Sequence, residues 1–124
     1  MEIKLFDSEV KVMEFVWEHE PITAKELSVM ANERYEWNKN TTYTVIKKLI
    51  DKGAIQRTEP NFVCTSLIKK EIVQKEETNQ LITRLFRGSK KAFFAAFLQD
   101  ENLSNEEYEE LQEMIEKRRG EIGN

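Results

Sequence analysis

Residues 37–55, Trp37-Asn38-Lys39-Asn40-Thr41-Thr42-Tyr43-Thr44-Val45-Ile46-Lys47-Lys48-Leu49-Ile50-Asp51-Lys52-Gly53-Ala54-Ile55, constrain the fold more than any other stretch. Thr42, Val45, Ile46 and Leu49 recur at three- and four-residue spacing, so they share one helical face that must pack against something. Tyr43, Thr44, Lys47 and Lys48 share the opposite face, and their hydroxyls and amines suit base edges or phosphate oxygens. The helix N-terminus also favours an anion. Asn38 or Asn40 is placed to cap the start, and Gly53 follows Lys52 where a left-handed residue closes a helix. The spacing predicts a helix from about Asn40 to Lys52. In isolation such a stretch is equally a core helix with a solvated face, so its flanks decide.

Upstream, a first helix is predicted to start at Asp7 or Ser8, either of which can cap it, and to run to about His19. Val10, Met13, Val16 and Trp17 form its apolar stripe, widened by Val12, and Pro21 stops it. Thr23 and Glu26 have the spacing of a capping box, with Ile22 and Leu27 placed as a hydrophobic staple. The second helix then turns Leu27, Met30 and Ala31 inward. Helix, short connection, helix, short loop with Trp37 and polar-faced helix is a helix-turn-helix arrangement with one helix in front.

After Gly53 the pattern changes to strand, Ala54 to Glu59, with Pro60-Asn61 as the turn and Phe62 to Thr65 returning. A two-stranded ribbon directly after such a helix is a wing, and Arg57 on it is placed to reach a phosphate backbone. From Ser66 the chain returns to helix, apolar at Leu67, Ile68, Ile72 and Val73 and again at Leu81, Ile82, Leu85 and Phe86. Residues 74–80 between them carry no apolar side chain, as in a helix that bridges two separately packed bodies. Gly88 breaks it. Ala92-Phe93-Phe94-Ala95-Ala96-Phe97-Leu98 is too short to bury its own phenylalanines. The last helix has Ser104 and Glu107 as capping box, Leu103 and Tyr108 as staple, and Tyr108, Leu111, Met114 and Ile115 as its stripe. Lys117, Arg118 and Arg119 complement its C-terminal dipole, and Gly120 is predicted to end it. This surplus of apolar surface predicts self-association, since a phenylalanine contributes roughly 1.5–3 kcal/mol only when something covers it.

Composition narrows the function. At 124 residues, 40% hydrophobic and 34% charged, the chain suits one small soluble domain with a helical extension. No apolar run approaches the roughly 20 residues needed to span a bilayer. Met1-Glu2-Ile3-Lys4 lacks a signal-peptide pattern, and a cytoplasmic location without membrane insertion is expected. One cysteine and one histidine make neither an internal disulfide nor an ordinary metal site, so no metal and no cofactor is expected. His19 reads as a helix-end residue, and Cys64 as a small core residue rather than a reactive thiol. With no nucleophile-base pair and no phosphate-binding glycine loop, the chain does not read as an enzyme. The net charge of -4 argues against a nucleic-acid partner, but its distribution argues for one. Lys39, Lys47, Lys48, Lys52 and Arg57 face only Asp51 between 39 and 58. Beyond Gln99 the balance is acidic, with Asp100, Glu101, Glu106, Glu107, Glu109, Glu110, Glu113, Glu116 and Glu121.

The order of elements resembles the BlaI/MecI/CopY repressors, which shut off β-lactamase, methicillin-resistance or copper-transport genes. The resemblance covers nearly the whole chain. It is carried by Asp7-Ser8-Glu9-Val10-Lys11-Val12-Met13 with Val16-Trp17, by Trp37 to Thr44, by Leu49-Ile50-Asp51-Lys52-Gly53, and by the Phe97 to Leu111 region. The resemblance implies DNA contact from Asn38, Asn40, Thr41, Tyr43, Thr44 and Lys48. Tyr43 stands where the methicillin repressor has an arginine, and a phenol cannot make the bidentate contact to guanine. In the β-lactamase branch a membrane sensor-protease triggers cutting at an Asn-Phe bond, which aligns here with Ala96-Phe97. The C-terminal cysteine cluster of the copper branch is absent.

Together these readings predict a mainly α protein with a small β wing. A winged helix-turn-helix domain is expected over 1–66 and a helical dimerisation domain over 67–124, with 67–87 as a bridging helix. The expected partners are double-stranded DNA with a palindromic operator, a second copy of the chain, and a membrane sensor-protease system. The expected DNA-binding residues are Asn38, Lys39, Asn40, Thr41, Tyr43, Thr44, Lys47, Lys48 and Arg57. Dimerisation is expected at Leu81, Leu85, Phe86, Phe93, Phe94, Phe97, Leu98, Leu111, Met114 and Ile115. Two alternatives stand beside the repressor reading: a winged-helix module that docks proteins, which would favour apolar anchors on the exposed helix face, and a ligand-sensing regulator.

Overall fold

The computed structural model describes residues 3–99 and 102–123. Asp100 and Glu101 of the acidic end, and Met1 and Glu2 of the N-terminus, lie outside the described residues. The chain divides into two compact units, the first running to Thr78 and the second starting at Asn79.

The first unit is a winged helix-turn-helix: α1 (Asp7–His19), β1 (Ile22–Thr23), α2 (Ala24–Tyr35), α3 (Lys39–Asp51), β2 (Ile55–Thr58) and β3 (Val63–Ser66), followed by the start of α4 (Lys70–Phe86). The strands form one antiparallel sheet in the order β1-β3-β2, with Ile22 opposite Cys64 and Arg57 also opposite Cys64 from the other side. The two-residue β1 was not foreseen, because its partners lie some forty residues away and no local alternation marks it. The fourth helix, expected from Ser66 and over 67–87, starts only at Lys70, since Ser66 is still paired in the sheet.

Capping fixes where the helices begin. At α2 the Thr23 hydroxyl accepts from the Glu26 N–H at 3.1 Å and the Glu26 carboxylate accepts from the Thr23 N–H at 3.2 Å, as the spacing predicts. At α1 the helix starts at Asp7, as predicted, but neither Asp7 nor Ser8 caps it: both are helical, and the Phe6 N–H ahead of them donates to Glu9 Oε1 at 2.8 Å. Glu9 reaches back in this way because it is buried and held there by Lys52. At α3 the cap is Asn38, not Asn40, with its Oδ1 accepting from the Thr41 N–H at 2.8 Å. Gly53 closes α3 with φ +80, a conformation that costs a side-chain-bearing residue steric strain.

The core gathers one face from each helix: Val12, Met13 and Val16 of α1, Leu27 and Ala31 of α2, Val45, Ile46 and Leu49 of α3, with Ile55, Cys64 and Val73. All four residues of the predicted buried face of α3, Thr42 included, are buried. On α1 the face is rotated from the expected stripe. Val10 and Trp17 are only half-buried, while Phe15 is buried and meets the Tyr35 ring at 6.0 Å. Trp17 lies at the margin, where its indole N–H donates to the Ile68 carbonyl at 2.9 Å.

The second unit comprises the end of α4, α5 (Lys90–Leu98) and α6 (Asn105–Ile122). Gly88, at φ +81, follows the end of α4, and Ser89 caps α5 by accepting from the Ala92 N–H at 3.0 Å. Ser104 and Glu107 form the predicted capping box of α6, and the Tyr108 hydroxyl donates to the Leu98 carbonyl at 2.9 Å. The last helix does not end at Gly120. That glycine is helical, an Arg118 to Glu121 pair at 3.6 Å spans it, and the left-handed cap is Gly123 at φ +74.

Candidate nucleic-acid interface

Because α3 buries Thr42, Val45, Ile46 and Leu49, its remaining positions are turned outward. Asn38, Lys39, Asn40, Thr41, Thr44, Lys47 and Lys48 are all exposed, and Tyr43 is half-buried. Asn38, Asn40, Thr41, Thr44 and Lys48 line a hollow of about 380 Å³ at the first turns of α3. Ser8 of α1 lines it as well. In the sequence Ser8 reads as a cap and as part of the motif carrying the resemblance, and no local signal places it beside residues some thirty positions on. The hollow offers hydroxyls, amides and an ammonium, the donor set that phosphate and base-edge contacts use.

The basic surplus is differently distributed from its linear appearance. Lys52 is neutralised by Glu9 at 2.5 Å, and Arg57 is ion-paired with Glu59 on the wing. The Arg57 guanidinium also lies over the Phe62 ring, 3.6 Å from its centroid. Its hydrogen bond to the Glu59 carboxylate holds that group below its ordinary pKa. Among the described residues no ion pair engages Lys47 or Lys48. Lys39 stands over the Tyr43 ring, 5.6 Å from its centroid, and Tyr43 in turn meets Phe62 edge-on at 5.8 Å. Lys39, Lys47 and Lys48 are therefore the cations of this face that remain available to an anion.

Among the described residues no group of three or more His, Cys, Asp or Glu side chains is placed to hold a metal ion. His19 is exposed in the last turn of α1. Cys64 is a fully buried core residue, and burial pushes its thiol up to about 11. No described helix is long and apolar enough to cross a membrane.

Residues 5–117 match the penicillinase repressor family. The chain belongs to that family. Its members are transcriptional repressors rather than enzymes. The penicillinase repressor of Bacillus licheniformis is 27% identical over 116 residues, covering 92% of this chain and 91% of that protein. The methicillin resistance regulatory protein MecI of Staphylococcus aureus strain N315 is 25% identical over 117 residues, 93% of this chain and 95% of that one. Among solved structures, the monomeric form of Bacillus licheniformis BlaI in complex with the blaP half-operator superposes with a TM-score of 0.52 at 29% identity, over 56% of this chain and 89% of that one.

The second unit carries the residues expected to dimerise. Leu81, Phe86, Phe93 and Leu111 are half-buried within it, and Phe93 is the hub of a ring cluster, 5.6 Å from Phe86, 5.4 Å from Phe94 and 6.5 Å from Phe97. Leu85, Phe94, Phe97, Leu98, Met114 and Ile115 are exposed, Met114 by 65%. Among the described residues of this unit only Ile82 is buried. Phe94, Phe97, Leu98, Leu111, Met114 and Ile115 line a hollow of about 400 Å³ between α5 and α6.

Proposed function

We propose that this chain is a dimeric, sequence-specific transcriptional repressor that lays α3 in the major groove of a palindromic operator. The observation that carries the reading is α3 itself: its apolar face is buried, while Thr41, Thr44, Lys47 and Lys48 stand outward with no apolar anchor among them. A protein-docking module would present the reverse. Asn38, Lys39, Asn40, Thr41, Thr44, Lys47 and Lys48 form the contact face, while Tyr43 and Arg57, expected there from the sequence, both pack on Phe62 of the wing. The likeness to a repressor structure solved with its half-operator supports duplex DNA as the partner. One winged helix reads few base pairs, and two copies joined through the apolar hollow of the second unit would read half-sites about 34–36 Å apart. The experiment is operator and random-duplex binding by a Thr44→Ala, Lys48→Ala double variant. Loss of operator preference supports the assignment, and binding identical to wild type on both duplexes removes it.

Release by proteolysis is a second reading, favoured by the exposure of α5. Ala96-Phe97, the bond aligned with the cleaved bond of the β-lactamase branch, lies in that helix with Phe97 45% exposed. Cutting there would sever α5 from α6 and split the apolar hollow. Mass spectrometry of the protein from cells exposed to a β-lactam shows fragments ending at Ala96 if this holds; an intact chain released from its operator disposes of it.

A further inference from the structure

The reading helix and the wing meet at one aromatic contact. The Tyr43 ring lies edge-on to Phe62, centroids 5.8 Å apart and planes at 88°. Phe62 has a positive φ of 52, a backbone region bulky residues rarely take, so the turn between the strands fixes the direction of its side chain. The same ring carries the Arg57 guanidinium at 3.6 Å, and Arg57 Nε is held by the Glu59 carboxylate. A backbone tie also joins the group, from the Phe62 N–H to Glu59 Oε1 at 3.4 Å. Tyr43, Phe62, Arg57 and Glu59 are thus one connected cluster running from α3 to the tip of the wing.

We propose that Tyr43 is a positioning residue, docking the wing onto α3 through Phe62 rather than reading a base, and that Glu59 holds Arg57 within this dock and away from phosphate. The inference rests on α3 being the DNA-reading helix. Edge-to-face packing belongs to the ring and survives loss of the hydroxyl, whereas base reading by a tyrosine belongs to the hydroxyl. The wing then brings no net charge to the duplex, because its arginine is already answered. Its contribution is the angle at which it flanks the groove.

The test uses the full chain and separates ring from hydroxyl. In amide NMR spectra of the DNA-free protein, Tyr43→Leu shifts the wing amides of residues 56–64 and Tyr43→Phe leaves them in place. On DNA, Tyr43→Phe keeps the operator-over-random ratio within about twofold of wild type, while Tyr43→Leu and Phe62→Leu each lower it about fivefold. The double variant falls no further than either single one, since both remove the same contact. Glu59→Gln frees Arg57, tightens binding to both duplexes and steepens the slope of log K against log salt by about 0.9 per half-site. Equal losses from Tyr43→Phe and Tyr43→Leu, or fully additive losses from Tyr43→Leu and Phe62→Leu, overturn the positioning role. A slope unchanged by Glu59→Gln overturns the part given to Glu59. The amide shifts are read without DNA, so a wing indifferent to Tyr43→Leu overturns the dock itself, whereas wild-type protein indifferent to sequence overturns the repressor reading.

Discussion

Lys52 Nζ lies 2.5 Å from Oε1 of Glu9, whose side chain is 1% exposed. The same ammonium donates to the Lys4 carbonyl at 2.8 Å and stands 4.4 Å over the Phe6 ring, while the same carboxylate oxygen accepts from the Phe6 N–H. The end of α3 is thereby tied to the beginning of α1. Glu9 Oε2 has no hydrogen-bond partner among the described residues, so the Lys52 charge is the main compensation for a carboxylate held in the core.

Removing only the cation is therefore costly. Lys52→Met leaves Glu9 buried without its partner and destabilises the fold by about 2–3 kcal/mol in urea titrations, whereas Glu9→Leu combined with Lys52→Met recovers most of that loss. A Lys52→Met variant as stable as wild type would show that the tie holds nothing.

Acid weakens the start of α2. The Thr23 backbone N–H, and then its hydroxyl, hold the Glu26 carboxyl below its ordinary value of 4.5. A folded-state pKa below the unfolded one contributes stability that is present above 4.5 and is lost as pH falls through the folded value. Urea midpoints followed from about pH 6 to pH 3 fall with acid in the wild type, and Thr23→Ala flattens that fall by removing one of the two bonds. Glu59, lowered by Arg57, contributes in the same direction.

Cys64 is inert while the protein is folded. With the side chain in the core and the thiol pushed up to about 11, almost none of it is thiolate at neutral pH. A thiol-specific disulfide reagent labels it only as fast as the sheet opens, and labels it promptly in urea. Rapid labelling of the native protein would place Cys64 at the surface.

The proposed self-association would rest on the exposed apolar side chains of α5 and α6. Phe97→Glu with Met114→Glu puts charge into their hollow and converts the sedimenting species from dimer to monomer. The amide spectrum of the first unit stays unchanged, since its core is complete without them. Unchanged sedimentation would move the dimer contact elsewhere.

Periodicity and caps made much of this legible. The buried face of α3, the wing, and the boxes at Thr23–Glu26 and Ser104–Glu107 all follow from spacings of two to four residues, the range over which local geometry acts. Long-range pairing was not legible. Arg57 finds its partner Glu59 only two residues on, just past the basic stretch 39–58, whereas Lys52 reads as a free cation because its partner Glu9 lies 43 residues away. For the same reason Ser8 joined the α3 hollow unannounced, and β1 had no signal of its own. Gly120 misled because a glycine can stop a helix without being obliged to, and a charged pair across it carries the last turn onward.

The decisive measurement is anisotropy binding of the full chain to the DNA upstream of its own gene, with random duplex as competitor and salt varied. A repressor of this build binds the upstream duplex selectively, with two protomers per site. With Lys39, Lys47 and Lys48 free on each protomer, log K falls with log salt at a slope of about −2.7 per half-site. Equal affinity for both duplexes, or no binding to either, contradicts the assignment of α3 to DNA and turns the search toward a protein partner for the same face.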